Sequence, residues 1–140
     1  MHDGRFFCLV FEPLGASLFD LMQANGYCGY WLRDIQCFTA QVLSALCFLH
    51  DELSMTHTDI KPENVLLESR EPPLPSYCPR ASAHTGSGSY MRPACCKVKL
   101  IDFGNATYID MHHSSVISTR PYRGPEVLLE MPWSEQADIW

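Results

Sequence analysis

Apolar and polar residues alternate along the chain in blocks that predict distinct elements. Phe6-Phe7-Cys8-Leu9-Val10-Phe11 is a continuous apolar run of strand length and predicts a buried strand. Glu12-Pro13-Leu14-Gly15 breaks it as a short extended connector. Ser17 then opens a helix: its hydroxyl can cap free backbone N–H groups, and Asp20 stands at the return position of a capping box. Leu18, Leu21 and Met22 form the apolar face of this helix, and Asn25-Gly26 ends it. A longer helix is predicted from about Trp31 to His50. Trp31, Ile35, Phe38, Val42, Leu46 and Leu49 recur every three or four residues, which lines one face for core packing. Leu53 to Lys61 carries no period. Asn64-Val65-Leu66-Leu67 predicts a short strand, and Lys97-Val98-Lys99-Leu100-Ile101 predicts another with alternating exposure.

Between those two strands the pattern fails. Residues 69–96 hold Pro72, Pro73, Pro75, Pro79 and Pro93, half of the chain's 10 prolines, together with Gly86 and Gly88. This stretch reads as a long flexible, solvated insertion bridging two strands of a hairpin. No internal repeat is visible.

Composition adds exclusions. The chain has 140 residues, 46% of them hydrophobic and 19% charged, which suits a single globular domain. Lys plus Arg is 10 and Asp plus Glu is 16, a net charge of −6. That balance argues against nucleic-acid binding by bulk charge. The N-terminal apolar run falls far short of the ~20 residues of a membrane helix, and no secretory pattern is present; neither a membrane nor a direct nucleic-acid partner is expected. The seven cysteines are odd in number and irregularly spaced, which suits free thiols in a reducing compartment. Neither spacing nor a His partner supports a zinc site from Cys78, Cys95 and Cys96.

The candidate chemistry lies in His57-Thr58-Asp59-Ile60-Lys61-Pro62-Glu63-Asn64 and, beyond the insertion, Asp102-Phe103-Gly104. Phosphoryl transfer needs a carboxylate beside the attacking hydroxyl, a cation for the moving phosphoryl group, and oxygen ligands for magnesium. Asp59 can be that carboxylate. Lys61, two residues on, points to the same side of an extended loop and can reach the phosphate. Asn64 offers an amide oxygen and Asp102 a charged oxygen to a metal, and Gly104 permits a sharp turn. Each residue alone is uninformative; the order helix, H-x-D-x-K-x-x-N, strand, strand, D-F-G is specific.

On these motifs the chain resembles the central part of a eukaryotic protein kinase domain. Within kinases it most resembles the LAMMER-type, or CDC-like, dual-specificity group. Phe11-Glu12 with Leu14-Gly15, His57-Thr58-Asp59, Asp102 to Tyr108, His112-His113-Ser114 and Ser118 to Glu126 carry the likeness. The SR-protein kinases are the nearest competitor. The resemblance implies a protein-kinase-like α+β fold, here a mostly helical partial C-lobe with the hinge strand. Most of the N-lobe and the last C-lobe helices would not be within these residues. The expected layout is 1–15 last N-lobe strand and hinge, 16–68 helices and catalytic loop, and 69–96 insertion. The Asp-Phe-Gly turn and activation segment follow over 97–126, and the start of the following helices over 127–140. No glycine-rich loop, strand Lys or helix Glu occurs, and Glu126 has no downstream Arg to pair with, so a piece of a longer kinase is expected.

The resemblance also implies roles. Asp59 is the catalytic base, Lys61 the phosphate contact, and Asn64 and Asp102 the magnesium ligands. Thr119 hydrogen-bonds near Asp59 and Lys61, and Asp138 braces the catalytic loop. For ATP, Phe11 is the gatekeeper, the Glu12 carbonyl and Leu14 backbone pair with adenine, and Leu66 and Ile101 line the pocket floor. Pro13 is tolerable because the hinge does not use an N–H there. Thr58 stands where many kinases place an Arg that reads a phosphate on the activation segment, which implies activity without that phosphate. Arg120 and Arg123 flank Tyr122 in a segment resembling the peptide-docking loop, and either grip a phosphate or carboxylate or brace the segment. His112-His113 reads as a solvated loop. The implied substrates are proteins phosphorylated on Ser/Thr, with Tyr as a further acceptor, among them Ser/Arg-rich splicing factors, in an intracellular, nuclear setting. The isolated 140-residue chain is expected to be inactive. The competing readings are a small-molecule phosphotransferase of related fold and a noncatalytic, pseudokinase-like scaffold.

Overall fold

A computed structural model describes residues 6–79 and 90–140. Among the described residues three α-helices, the last a single turn over Pro125–Leu128, and three two-stranded antiparallel ribbons surround a small core. Helix α1 (Leu18–Ala24) begins as the sequence requires: the Ser17 hydroxyl accepts from the Asp20 N–H at 3.0 Å, and the Asp20 carboxylate accepts from the Ser17 N–H at 3.0 Å. Helix α2 (Leu32–Cys47) runs on into a π-helical turn, Phe48–Glu52. Its apolar stripe is buried at Phe38, Leu46 and Leu49, whereas Trp31 and Ile35 at its start are exposed. The core cluster joins Leu21 of α1, Phe38 of α2 and Leu67, with Leu18, Tyr30, Cys96 and Val98 packed against it. Leu32–Glu52 is long and apolar enough to cross a membrane. Phe38, Leu46, Leu49 and the ion-paired Asp34 are its buried positions, while Leu32, Ile35, Leu43 and Phe48 are exposed.

Strands β2 (Val65–Leu67) and β5 (Val98–Leu100) pair antiparallel, with Leu66 opposite Lys99. The hairpin over the insertion thus forms as the sequence predicts. Two-residue strands β1 (Met55–Thr56) and β6 (Thr107–Tyr108) also pair, across a region that shows no period in the sequence. Gly15 lets the connector enter this framework. Its N–H donates to Leu67 O at 2.8 Å, and a Cβ there would lie 2.1 Å from Ser69 O. Two backbones meet where no side chain fits.

The strand expected over Phe6–Phe11 does not form. The segment has only an isolated bridge at Phe7, and Phe7 and Phe11 are 79% and 80% exposed. An apolar run becomes a strand through ladder partners, and no strand pairs with it among the described residues.

The insertion, expected as a solvated loop, is also corrected at both flanks. Strand β3 (Leu74–Ser76) pairs with β4 (Tyr90–Arg92), placing Ser76 opposite Tyr90. The ribbon is tied to the helices. Asn25 treats Met91 as a strand neighbour would, accepting from its N–H and donating to its carbonyl, both at 2.8 Å. Tyr90 is buried and its hydroxyl donates to Gly29 O at 3.0 Å. Arg92 makes a forked ion pair with Asp34, whose side chain is 1% exposed; the Nε arm is 2.8 Å long. Arg92→Ala would strand a buried carboxylate, a change that costs about 3–5 kcal/mol when a buried pair is broken from one side. Urea denaturation should report a loss near the lower end, because Arg92 itself is 36% exposed. Arg92→Lys should recover only part of it, since an ammonium cannot make both arms of the fork. The portion of the insertion over 80–89 lies outside the described residues.

Candidate active site

The loop bearing Asp59 is fixed from behind by one carboxylate. Asp138 lies in the 3-10 turn Glu135–Asp138 and is fully buried at its side chain. It accepts from the backbone N–H of His57 at 2.8 Å and of Thr58 at 2.7 Å, and it meets His50 Nε2 at 2.9 Å. His57 is fully buried, with Nε2 3.0 Å from Ile101 O and its ring 4.9 Å from that of Phe103, edge-on. The loop is thereby joined to the Asp102-Phe103-Gly104 turn through His57 as well as to the C-terminal segment through Asp138.

Thr58 sits at φ 72°, a left-handed conformation that β-branched residues rarely adopt. Such a residue persists only where its surroundings over-determine it. Here the Thr58 N–H is held by Asp138, its hydroxyl donates to Asn105 O at 3.1 Å, and its carbonyl accepts from the Ser118 hydroxyl at 2.7 Å. Thr58 therefore ties the loop bearing Asp59 to both ends of the segment that follows Asp102. The sequence shows only that an Arg is absent at this position; nothing in residue type or spacing signals the tie.

Asp59 is the hub of the site. Its Oδ2 accepts from Lys61 Nζ at 2.6 Å, and its Oδ1 accepts from the Thr119 N–H at 3.0 Å and hydroxyl at 2.7 Å. Lys61 Nζ also reaches Thr119 Oγ1 at 2.9 Å, closing a three-residue ring. Partial burial by itself would raise the Asp59 pKa. The hydrogen bonds from Lys61 and Thr119 and the positive charge of Lys61 outweigh it and hold the carboxyl below its usual value. In the reciprocal sense, the Asp59 hydrogen bond leads in pushing Lys61 upward, and the charges of Glu63 and Asp102 add to it. At neutral pH the pair is carboxylate and ammonium. Asp102 thus stands close enough for its charge to act on Lys61.

Asn64 is buried below Asp59 and donates through Nδ2 to the Asp59 carbonyl at 2.9 Å. That bond orients the amide and leaves Oδ1 as the atom for a cation. Asp102 is exposed, at φ 64°, and caps the short turn Phe103–Asn105 by a long 3.4 Å contact from the Gly104 N–H. An amide oxygen and a weakly engaged carboxylate are hard donors of the kind magnesium takes alongside phosphate oxygens and water. Among the described residues no group of three or more His, Cys, Asp or Glu is gathered so as to hold a metal ion.

The residues assigned to the adenine side are not gathered in the same way. Phe11 is 80% exposed and contributes no buried wall, and Leu14 is half-buried. The Glu12 carboxylate is bound by Lys99 Nζ at 2.6 Å, which fastens the connector to β5. Leu66 and Ile101 are half-buried on or beside the β2–β5 ribbon, where the Ile101 N–H donates to Asn64 O at 2.9 Å. Their backbones thus continue directly into the loop that carries Asn64.

Beyond Asp59, a cleft of about 450 Å³ runs under the activation segment. Thr58, Asp59, Ser118, Thr119, His113, Arg123 and Trp133 are among the residues that line it. Arg123 spends its guanidinium on Ile117 O at 2.8 Å and Ser118 O at 2.9 Å, so of the two readings for this residue the internal brace holds. Arg120 is exposed. His113 departs from the solvated loop expected for His112-His113: its ring lies 4.1 Å from that of Trp133, whose Nε1 donates to Ser114 O at 2.9 Å. His112 is exposed as expected.

Comparisons with known proteins bear on this arrangement. A family model described as protein kinase domain matches residues 1–140. The "Probable dual specificity protein kinase madd-3" of Caenorhabditis elegans is 40% identical over 148 residues, covering 100% of this chain and 15% of its own. The Arabidopsis thaliana "Serine/threonine-protein kinase AFC3" is 42% identical over 134 residues, covering 95% of this chain and 33% of its own. The Homo sapiens "Dual specificity protein kinase CLK1" is 39% identical over 139 residues, covering 99% of this chain and 27% of its own. A crystal structure of a kinase domain superposes with a TM-score of 0.81 at 38% identity, over 93% of this chain and 38% of that one. The chain thus spans only 15% to 33% of the length of these three relatives.

Proposed function

The chain belongs to the protein kinase family, and from that premise we propose that the protein transfers the terminal phosphoryl group of ATP to Ser and Thr, and also Tyr, hydroxyls of protein substrates. The observation that supports this reading most is the Asp59–Lys61–Thr119 ring, with Asn64 locked beneath it. Asp59, ionised at neutral pH, orients the substrate hydroxyl and takes its proton. Lys61 is an ammonium already held beside that carboxylate and can turn to a phosphate oxygen. Thr119 holds both through its hydroxyl and fixes Asp59 through its N–H. Asn64 Oδ1 and the Asp102 carboxylate would hold magnesium, which when bound neutralises charge on the phosphates. Leu14, Leu66 and Ile101 would face adenine, with Phe11 at the back of the pocket and the Glu12 carbonyl and Leu14 backbone pairing with the base.

Ser/Arg-rich splicing factors are the substrate class we propose, and the nucleus the compartment, on the likeness to the LAMMER-type group. The test is phosphate transfer by the full-length protein from γ-labelled ATP and magnesium to Ser/Arg-repeat and Tyr-containing peptides. Label on Ser, with weaker label on Tyr, is expected; absence of label on all of them would sink the reading. The 140-residue chain assayed alone should stay at background. Its described residues supply one side of the nucleotide site, and phosphoryl transfer depends on positioning and electrostatics from both sides. Incorporation by this chain comparable with the full-length protein would overturn that expectation.

Regulation follows from Thr58. A neutral hydroxyl cannot grip a phosphate as a guanidinium does, and Arg123 is committed to two backbone carbonyls. The ties from Thr58 to Asn105 and Ser118 already hold the segment. Phosphatase-treated full-length protein should therefore keep its activity within about threefold, a span of less than 1 kcal/mol in barrier; a fall to background on dephosphorylation counts against it.

A further inference from the structure

Residues 109–118 form neither helix nor strand. The segment that carries Thr119 to Asp59 therefore keeps its place through discrete ties. At its near end the Ile109 N–H donates to Ser54 O at 3.0 Å, and at its far end the Ser118 hydroxyl donates to Thr58 O at 2.7 Å. The middle is shaped by its own side chains. The Ser114 hydroxyl donates to Val116 O at 3.0 Å and accepts from the Val116 N–H at 3.2 Å. His113 Nδ1 lies 2.8 Å from Met111 O; a carbonyl only accepts, so Nδ1 carries the proton and the bond sets how the ring is turned.

Those internal bonds give the segment a shape but not a place. Placement comes from Trp133. The His113 and Trp133 rings stand 4.1 Å apart with an interplanar angle of 51°, and Trp133 Nε1 donates to Ser114 O at 2.9 Å. An indole offers a broad apolar face and one N–H, and both are used here on neighbouring residues of the segment. Neither ring belongs to the core cluster; both are half-buried and line the cleft that Asp59 also lines. Trp133 follows Pro132, whose ring fixes its own φ. It precedes Ser134, whose carbonyl accepts from the Ala137 N–H at 3.0 Å in the turn that ends on Asp138. One short stretch, 133–138, thus holds the loop of Asp59 through Asp138 and the segment leading to Thr119 through Trp133.

We propose that His113 and Trp133 are positioning residues for phosphoryl transfer to a protein substrate: their stack, with the indole bond to Ser114, holds residues 113–118 in register with the Asp59 loop. The proposal rests on the kinase reading above. Neither side chain touches the reacting atoms. Their effect passes through Thr119, which meets Asp59 and Lys61 only if the segment before it lies where Trp133 puts it.

The test uses the full-length protein, with steady-state kinetics on ATP and a Ser/Arg-repeat peptide and amide exchange over residues 109–118. Trp133→Ala should lower kcat/KM for the peptide about tenfold and speed the exchange by about as much, the scale of one lost contact pair. The KM for ATP should stay within about twofold, because Asn64 and Asp102 are not disturbed. His113→Ala should act in the same direction, and the double variant should be no worse than Trp133→Ala, since one contact cannot be lost twice. His113→Phe keeps a ring against the indole and should recover most of what His113→Ala loses. A merely structural role would lower Tm and worsen the ATP and peptide constants together, without rescue by a second ring. If Trp133→Ala does not fold, the two His113 variants decide the matter. The proposal is overturned if His113→Ala and Trp133→Ala keep wild-type kinetics and exchange, if the losses add in the double variant, or if His113→Phe folds and recovers nothing. A wild-type protein inactive on every peptide would sink the kinase reading and this role with it, whereas an active wild type with unaffected variants sinks the role alone.

Discussion

Asp59→Asn in the full-length protein should lower the phosphoryl-transfer rate by about 10²- to 10⁴-fold, the range that a positioned general base contributes. The substitution keeps the shape of the side chain. The asparagine oxygen can still accept from Thr119, which now bonds Oδ1 at 3.0 and 2.7 Å. Its NH₂ group, however, faces Lys61 Nζ where a carboxylate oxygen now sits 2.6 Å away. Two donors then oppose each other, Lys61 swings out, and both the proton acceptor and the charge that holds the phosphate contact are lost together. Single-turnover kinetics should show the loss in the chemical step with nucleotide affinity little changed, because Asn64 and Asp102 are untouched. A variant within about threefold of the wild type would remove Asp59 from the mechanism. The sign of its pKa shift makes a second statement. A carboxyl held below its unfolded value adds stability above that value and loses it as pH falls through the folded one. Asp59 therefore gives neither stability nor rate a step near neutral pH, and any acid limb of the rate between about pH 5 and 7 belongs to another group.

The gathering of Asp59, Lys61 and Asn64 was legible in the sequence because they are contiguous. Asp59, Lys61 and Asn64 occupy one short loop, and local backbone geometry alone nearly settles which side they share. Ser17 and Asp20 were legible for the same reason, a cap being a matter of three residues. The insertion was misread because its ties are long-range and specific. Nothing about Asn25 announces that it will pair with the peptide at Met91, and nothing about Asp34, on a helix whose period signals only core, announces Arg92. Proline count measures how little a segment can form regular structure by itself; it is silent on what a few polar anchors elsewhere can hold. The error at Phe6–Phe11 has the opposite origin. Hydrophobicity states that a segment seeks burial, yet burial needs a partner surface, and the described residues do not provide one.

Asp138→Ala should be the most destabilising single change in the site. The residue's side chain is fully buried and anchors two backbone N–H groups and one imidazole at 2.7 to 2.9 Å. Alanine leaves those N–H groups buried with no acceptor, at about 1–3 kcal/mol each. It also frees Thr58 from the contact that helps hold its left-handed backbone, a conformation costing of order 1–3 kcal/mol. The two stranded N–H groups alone come to about 2–6 kcal/mol, a large share of the 5–15 kcal/mol that a domain typically has. The expected result is a drop of more than about 10 °C in Tm, or a chain that does not fold. Asp138→Asn covers the second case. Its single carbonyl oxygen can serve one N–H while its NH₂ confronts the other, so it should fold with roughly half the loss. In that variant Asp59 stays chemically intact, yet its loop is held by one bond where there were two. The rate should fall with no change in the ionisation of Asp59, and wild-type stability together with a wild-type rate would show that the buried carboxylate positions nothing.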